Sequence, residues 1–162
     1  SSDLETPELS IHLGHRGAMK VRRVGFGEAA RSTLRRGTWV RPSRLWMSAT
    51  PLALDRNPGD LYSEDPSRRA RAFEEAEDVV ARACTNIGLP RPEHVDVIRS
   101  ATLPGTAKPR SYPPFPRNRD RTRRVLVHAR ILFSEPVRGP ILLGAGRYVG
   151  LGLFRPVTGE SR

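Results

Sequence analysis

The apolar residues follow two different periods along the chain, one typical of a helix and one typical of strands. Between Asp65 and Gly88 the apolar residues recur every three or four positions, which predicts one helix of roughly twenty residues. Asp65-Pro66 is typical of a helix start, and Gly88-Leu89-Pro90 of a helix end. The predicted apolar stripe comprises Ala72, Phe73, Ala76, Val79, Val80, Ala83, Cys84 and Ile87. The other face carries Glu74, Glu75, Glu77, Asp78 and Arg82 and is expected to point to water.

Strand-like segments lie on both sides of this helix. Residues 45–49, 94–101, 124–133 and 149–154 have strand composition or alternate with a period of two, and residues 141–143 form a short apolar run. A short helix is predicted around residues 27–36, and an extended proline-rich loop at 104–116. The order strand, helix, strand, strand, glycine loop, strand predicts an α+β, ferredoxin-like (RRM-like) domain without its second helix. We place this domain at residues 44–157, after an Arg/Gly-rich segment 1–43 that we interpret as the rest of a preceding ferredoxin-like half, and before a tail 158–162.

The distribution of charge along the chain indicates what kind of partner the protein binds. The 162 residues carry 28 Lys+Arg against 17 Asp+Glu, a formal net charge of +11, and only Lys20 and Lys108 are lysines. Basic residues concentrate in segments 16–44 and 117–130, whereas acidic residues concentrate between residues 60 and 78. Such separation is typical of proteins that present one face to a nucleic acid. A GC-rich genome would explain the arginine-to-lysine ratio equally well, but it would not explain this placement.

Several classes of protein are excluded or disfavoured. Cys84 is the only cysteine, so an internal disulfide framework and a cysteine-based zinc site are impossible within the chain. The apolar runs are too short to cross a bilayer, and residues 1–10 lack the features of a signal peptide. We therefore expect a cytoplasmic protein with no membrane association, metal or cofactor. The missing initiator methionine suggests a fragment or a processed product of a longer chain.

The most specific motif is the glycine-rich segment 139–156. Gly144, Gly146 and Gly150 are spaced G-x-G-x-x-x-G, which differs from the dinucleotide-binding fingerprint, and no P-loop Gly-Lys-Ser/Thr follows. Gly150 and Gly152 would share one face of the predicted last strand, leaving a bare strip that another backbone can approach.

This segment, followed by Leu153-Phe154 and Pro156, resembles the glycine-rich loop near the C-terminus of the repeat-associated RNA-binding (RAMP) proteins of CRISPR systems. Further stretches occur in one order before it: Ser43-Arg44-Leu45-Trp46-Met47-Ser48-Ala49-Thr50-Pro51, Asp55-Arg56, Gly88-Leu89-Pro90 and Glu135-Pro136-Val137-Arg138-Gly139-Pro140. Over residues 40–157 they resemble the C-terminal region of the fused backbone-and-processing subunit of type I-G (formerly I-U) CRISPR effectors.

The resemblance implies a RAMP domain that binds a CRISPR repeat RNA hairpin. It also implies a metal-independent endoribonuclease that cuts precursor crRNA, leaves a 2′,3′-cyclic phosphate and stays bound to the crRNA hairpin. Its implied partners are the backbone and large subunits of the effector. Two other functions stay open: a non-catalytic subunit that only holds the 3′ handle of the crRNA, and a generic basic RNA-binding or ribosome-associated protein.

Cleavage of this kind needs a base for the 2′-hydroxyl, an acid for the leaving oxygen and cations near the phosphate. His12 and His15 are candidates because the family's catalytic histidine tends to come from the N-terminal half. His128 would share a strand face with Arg124 and Arg130, although a histidine half-buried beneath a helix is the alternative. Tyr148 would stack on a base or position the nucleophile, or else be an ordinary strand aromatic.

His94 is interpreted as a surface residue, and Trp39 and Trp46 as core residues. The expected RNA-binding residues lie in the second basic block, before the glycine-rich segment and within it. They are Arg117, Arg119, Arg121, Arg123, Arg124, Arg138, Gly144, Gly146, Arg147, Gly150 and Gly152. For the run from Arg117 to Arg124, a solvated basic loop is the alternative.

Overall fold

A computed structural model describes residues 8–25, 31–116 and 121–157. The chain divides into two compact units, Ser1–Arg36 and Gly37–Arg162. In the first unit, strands β1 (Glu8–His12) and β2 (Ala18–Arg22) pair antiparallel around a 3₁₀ turn at Gly14–Arg16. Residues 27–30 of the helix predicted at 27–36 lie outside the described residues. The described remainder of that prediction contains a 3₁₀ turn at Ser32–Leu34, so its last residues do not form the expected helix.

The second unit contains the remaining helices and strands. In chain order they are α1 (Gly37–Val40), β3 (Ser43–Ser48), β4 (Leu52–Ala53), α2 (Pro66–Asn86), β5 (His94–Ile98), β6 (Leu126–Val137), β7 (Ile141–Leu142) and β8 (Leu153–Val157). The predicted α+β class is therefore confirmed, with an antiparallel sheet and few helices.

Strands β3 and β6 are the two central strands of the sheet. Strand β6 pairs antiparallel with β3 on one side and β5 on the other, while β3 also pairs with β8, and β8 with β7. The longer strands therefore lie in the order β8-β3-β6-β5. Because β3 and β5 are both antiparallel to β6, they run parallel to each other, and α2 makes the crossover between them. Strand β4 pairs with Val127 and Leu126 at the beginning of β6.

Helix α2 begins and packs as its sequence predicts. The Asp65 carboxylate accepts hydrogen bonds from the amides of Ser67 at 2.8 Å and Arg68 at 3.4 Å, which satisfies two of the free N–H groups at the helix start. The predicted apolar stripe is buried at Ala72, Ala76, Val80, Ala83 and Cys84. The stripe ends earlier than expected, because Ile87 lies beyond the last helical residue and is 43% exposed.

The core lies between α2 and one face of the sheet. Trp46, Ile131, Phe133 and Phe154 are fully buried in it, and Trp46 donates its indole N–H to the Ser43 carbonyl at 2.9 Å. The core prediction for Trp46 is confirmed. Burial raises the pKa of the Cys84 thiol to about 12, so this cysteine is a small core residue here rather than a nucleophile.

The predicted strand boundaries differ from the structure at several points, most clearly at the ends of β5 and β6 and at the start of β8. Strand β5 ends at Ile98 rather than at residue 101, and β6 runs to Val137, past a break in its register with β3. The last strand begins at Leu153 instead of residue 149. Gly150 and Gly152 precede it with φ of +85° and +71°, a left-handed conformation outside the range of regular strands.

Candidate nucleic-acid interface

The glycine-rich segment is anchored to the residues that follow β3. The Gly152 amide donates to the Pro51 carbonyl and the Ala145 amide to the Ala53 carbonyl, both at 2.9 Å. The ends of the segment also join, since the Leu143 amide donates to the Gly152 carbonyl at 2.9 Å. Backbone groups therefore hold the base of this loop on both sides.

Gly144 and Gly152 are among the glycines of this segment that close approach requires. A Cβ on Gly144 would lie 2.3 Å from the Ala53 carbonyl oxygen, and one on Gly152 would lie 1.8 Å from that of Leu143. Both residues also have positive φ. Gly150 and Gly152 were predicted to share one face of the last strand and to leave a bare strip there. This prediction is wrong, because both glycines precede that strand and, of the two, Gly152 is the one that another backbone approaches closely. A Cβ on Gly150 would have no neighbour within 4 Å, so this glycine serves only the turn.

The tip of the loop presents a basic and an aromatic side chain to solvent. Arg147–Val149 form a 3₁₀ turn, and Tyr148 is 85% exposed. The Arg147 guanidinium carbon lies 4.7 Å from the centre of the Tyr148 ring, and its Nη1 donates to the Gly144 carbonyl at 3.2 Å. Arg147 is thereby oriented against the aromatic ring, which suits it to contact a phosphate beside a stacked base.

An apolar groove lies beside this tip. The proline-rich stretch from Tyr112 to Phe115 and the residues Val149–Leu151 enclose a volume of about 540 Å³. Tyr112 and Phe115 are half-buried, so their rings contribute to the groove wall and stay accessible. Aromatic and apolar walls of this kind accept the flat face of a nucleobase.

The predicted arginine run is only partly described. Arg117 and Arg119 lie outside the described residues. Arg121 and Arg123 are exposed, whereas the Arg124 guanidinium is turned toward the Asp55 carbonyl, to which it donates. Arg138 is exposed at the end of β6, ahead of the glycine-rich segment.

His128 is buried rather than at the surface, on the face of β6 opposite the core residues Val127 and Ala129. Its ring is fully buried, with Nδ1 at 2.7 Å from the Ser48 hydroxyl and Nε2 at 2.9 Å from the Ala107 carbonyl. Since a carbonyl only accepts, Nε2 carries a proton and donates it to Ala107, and this bond pins the loop after β5 onto the sheet. A catalytic base must reach its substrate. Burial therefore gives His128 a structural position, deeper than the half-buried alternative considered from the sequence.

A polar triad on the sheet face opposite the core was not expected. His94 Nε2 lies 2.8 Å from Asp96 Oδ1, and Arg130 Nε donates to Asp96 Oδ2 at 2.7 Å. Asp96 and Arg130 are paired across β5 and β6. Burial acts to raise the pKa of Asp96, but the hydrogen bonds from Arg130 and His94 outweigh it, and the pKa is lowered. His94 is exposed, so an imidazole, a carboxylate and a guanidinium converge at an accessible point.

The other candidate histidines belong to the first unit. His12 ends β1 opposite Ala18, and His15 lies in the 3₁₀ turn that connects β1 to β2. Both are exposed. Throughout residues 8–25, 31–116 and 121–157, no group of three or more His, Cys, Asp or Glu side chains could hold a metal ion. In the same ranges no helix has the length and apolarity needed to cross a membrane.

A family model described as "CRISPR-associated protein, GSU0054 family" matches residues 20–156. The chain belongs to the GSU0054 family of CRISPR-associated proteins. This membership confirms the CRISPR association inferred from the resemblance and gives the protein a role in CRISPR defence. No characterised protein and no solved structure gave a significant match.

Only part of the candidate interface in this GSU0054-family chain is predictable from its sequence. Arg147 and Tyr148, both selected from the sequence, lie together in the structure. The surface position predicted for His94 is confirmed, but its contact with Asp96 and the neighbouring Arg130 were not predicted. The signal for the triad was the His-x-Asp spacing on β5, which places both side chains on one strand face. Finding Arg130 as their neighbour required the register between β5 and β6.

Proposed function

We propose that this chain is the RNA-binding part of a CRISPR effector subunit and that it recognises the repeat hairpin of crRNA. The observation that carries the proposal is the exposed Arg147–Tyr148 tip on a backbone-anchored glycine loop, beside the apolar groove that contains Tyr112 and Phe115. One guanidinium for phosphate and several aromatic faces for bases make a suitable combination for RNA.

The arrangement of strands supports the same assignment. The order β8-β3-β6-β5 with one crossover helix matches a ferredoxin-like fold in which the glycine-rich segment takes the place of the second helix. We propose that the domain is of the RAMP type, that it belongs to a type I-G effector, and that backbone and large subunits of that effector are its cytoplasmic partners.

We further propose that the protein is a metal-independent endoribonuclease. A histidine base accepts the proton of the 2′-hydroxyl, whose oxygen then attacks the adjacent phosphorus. The bond to the 5′-oxygen breaks, an acid protonates that oxygen, and a 2′,3′-cyclic phosphate remains. Arginine side chains stabilise the charge that develops on the phosphate oxygens.

Three exposed histidines are available for this chemistry. His12 and His15 lie on the β1–β2 hairpin, and His94 is oriented by Asp96 next to Arg130. Tyr148 is placed by the proposal at the RNA as a stacking or positioning group. His128 is left out because it is buried.

Binding is tested first, with a repeat hairpin and an unrelated structured RNA of equal length. Tyr148→Ala is expected to weaken hairpin binding by about tenfold, since stacking on one base is worth about 1–3 kcal/mol. Tyr148→Phe keeps the ring and retains most of the affinity. Arg147→Gln, which removes the guanidinium beside the Tyr148 ring, is also expected to weaken hairpin binding. Its matched control is Arg82→Gln, which removes a charge from the outer face of α2. Equal affinity of the wild type for both RNAs would favour a generic basic RNA-binding protein.

Cleavage is tested with normal repeat RNA and with repeat RNA that carries a 2′-deoxy nucleotide at the cut site, both in EDTA. The expected result is cleavage of the normal RNA alone, with a cyclic phosphate on the upstream product. His12→Ala, His15→Ala and His94→Ala identify the base by loss of cleavage with binding preserved. Specific hairpin binding with no cleavage of either RNA would overturn the nuclease and leave the non-catalytic crRNA-holding subunit.

A further inference from the structure

A basic groove with a different lining from the apolar groove lies beside the edge strand β5. The end of β5, the 3₁₀ turn at Pro109–Ser111 and the segment before α2 enclose a volume of about 620 Å³. Tyr62 and Phe73 supply aromatic surface, and the cationic side chains are Arg99, Lys108 and Arg110. None of these five residues was singled out for RNA binding by the sequence.

Among the described residues, the cations of this groove have no carboxylate partner in ion-pair contact. No acidic residue lines it, and within the described ranges none of its three cations lies within 4.0 Å of a carboxylate oxygen. Elsewhere in the same unit, Arg82 and Arg91 share Asp78, and Arg130 is paired with Asp96. A groove with three cations and no counter-charge attracts an anion into it.

The guanidiniums are held in place before any ligand arrives. The guanidinium carbons of Arg99 and Arg110 lie 4.8 and 4.7 Å from the centre of the Tyr62 ring. Arg99 also lies 5.7 Å from the Phe73 ring centre, and its Nη1 donates to the Leu61 carbonyl at 3.1 Å. Stacked on an aromatic ring, each guanidinium keeps N–H groups free along its edge, and less side-chain entropy remains to be lost on binding.

We propose that this groove binds the sugar-phosphate backbone of a single-stranded RNA segment that flanks the hairpin. Planar guanidiniums match phosphate oxygens in pairs, Lys108 adds a point charge, and the exposed part of Tyr62 offers a surface to a sugar or base. This inference rests on the proposed RNA-binding function. It extends that function to a second subsite near the edge strand β5, whereas the glycine-rich loop follows β7 near β8.

The test compares three RNAs and three double variants in the full chain. The RNAs are the hairpin alone and the hairpin with a single-stranded extension on the 3′ or the 5′ side. The groove variant is Arg99→Gln/Arg110→Gln. The matched control is Arg82→Gln/Arg91→Gln, which removes the same charge from the two arginines that pair with Asp78 on the outer face of α2. Lys108→Gln/Arg110→Gln is a second groove variant that leaves the Arg99 packing intact.

In the wild type, one of the two extensions is expected to raise affinity. Both groove variants should lose about tenfold of the affinity for that extended RNA and keep their affinity for the hairpin alone. With two phosphate contacts removed, the slope of log K against log salt should fall by about 1.4. The control should lose much less.

Each contrary result has a distinct meaning. If neither extension changes wild-type affinity, or if the groove and control variants bind the extended RNA equally, the groove proposal is overturned while hairpin recognition stands. If the wild type binds the hairpin no better than an unrelated RNA, the proposed function itself fails. A groove variant with its circular dichroism spectrum and melting temperature unchanged, but without loss of affinity, also refutes the groove.

Discussion

Replacing Gly152 by alanine gives the sharpest test of how the glycine-rich loop is held. A left-handed φ costs a non-glycine residue about 1–2 kcal/mol. In addition, the new Cβ would lie 1.8 Å from the Leu143 carbonyl oxygen, where real contacts do not fall below 3.0 Å. Because that oxygen is part of the backbone, the segments around Leu143 and Gly152 must move apart by more than about 1 Å.

The separation breaks hydrogen bonds that can be counted. The bonds from Leu143 N to the Gly152 carbonyl and from Gly152 N to the Pro51 carbonyl, both 2.9 Å long, lie at the displaced point. At about 1 kcal/mol each, their loss brings the expected cost of Gly152→Ala to about 3–4 kcal/mol. Gly150→Ala is a matched control, because Gly150 has φ of +85° but nothing within 4 Å of its would-be Cβ. It should cost only the left-handed strain of about 1–2 kcal/mol.

The assay is urea unfolding of both variants and the wild type, followed by intrinsic tryptophan fluorescence, since Trp46 is buried in the core. A difference of about 2 kcal/mol between the variants is expected. Gly152→Ala should also weaken hairpin binding, because the base of the loop that carries Tyr148 is displaced. Equal losses of stability in the two variants would refute the close-approach argument.

Two further predictions concern titratable groups. Because the pKa of Asp96 is lowered in the folded state, its stabilising effect is complete above the ordinary aspartate pKa of about 3.9 and is lost as the pH falls below it. Asp96→Asn should therefore lower the free energy of unfolding at neutral pH, with the difference from wild type shrinking below about pH 4 in urea titrations; a pH-independent difference would contradict this. Cys84, fully buried and with its pKa raised to about 12, should react with a thiol reagent only at the rate of global unfolding as urea is increased. Rapid stoichiometric labelling under native conditions would count against its burial.

Features encoded locally were predictable from the sequence. Helix α2 followed from the Asp65-Pro66 start and the three- and four-residue spacing, because a cap and an amphipathic stripe involve neighbours along one segment. The strand order was anticipated only in outline. The start of β8 was missed because strand composition does not reveal that Gly150 and Gly152 take left-handed conformations.

Features that join distant segments were not predictable. The burial of His128 depends on the Ala107 carbonyl, which a separate loop brings to it, and on Ser48 from β3. The stacking of Arg99 and Arg110 on Tyr62 likewise assembles three separate parts of the chain. In both cases a side chain's role is decided by tertiary contacts, on which the local pattern carries no information.

The position of β6 at the centre of the sheet has a consequence for synthesis on the ribosome. β3, α2 and β5 all leave the ribosome before β6, yet β3 and β5 each find their first long strand partner in β6. Their backbone groups stay unpaired until residues 126–137 emerge, and the sheet then closes across the 85 residues that separate Trp46 from Ile131. Contacts so distant in sequence form late, and exposed strand edges are prone to aggregation in the meantime. We therefore expect the nascent second unit to need chaperones, which cover its unpaired strand edges, until β6 has been translated.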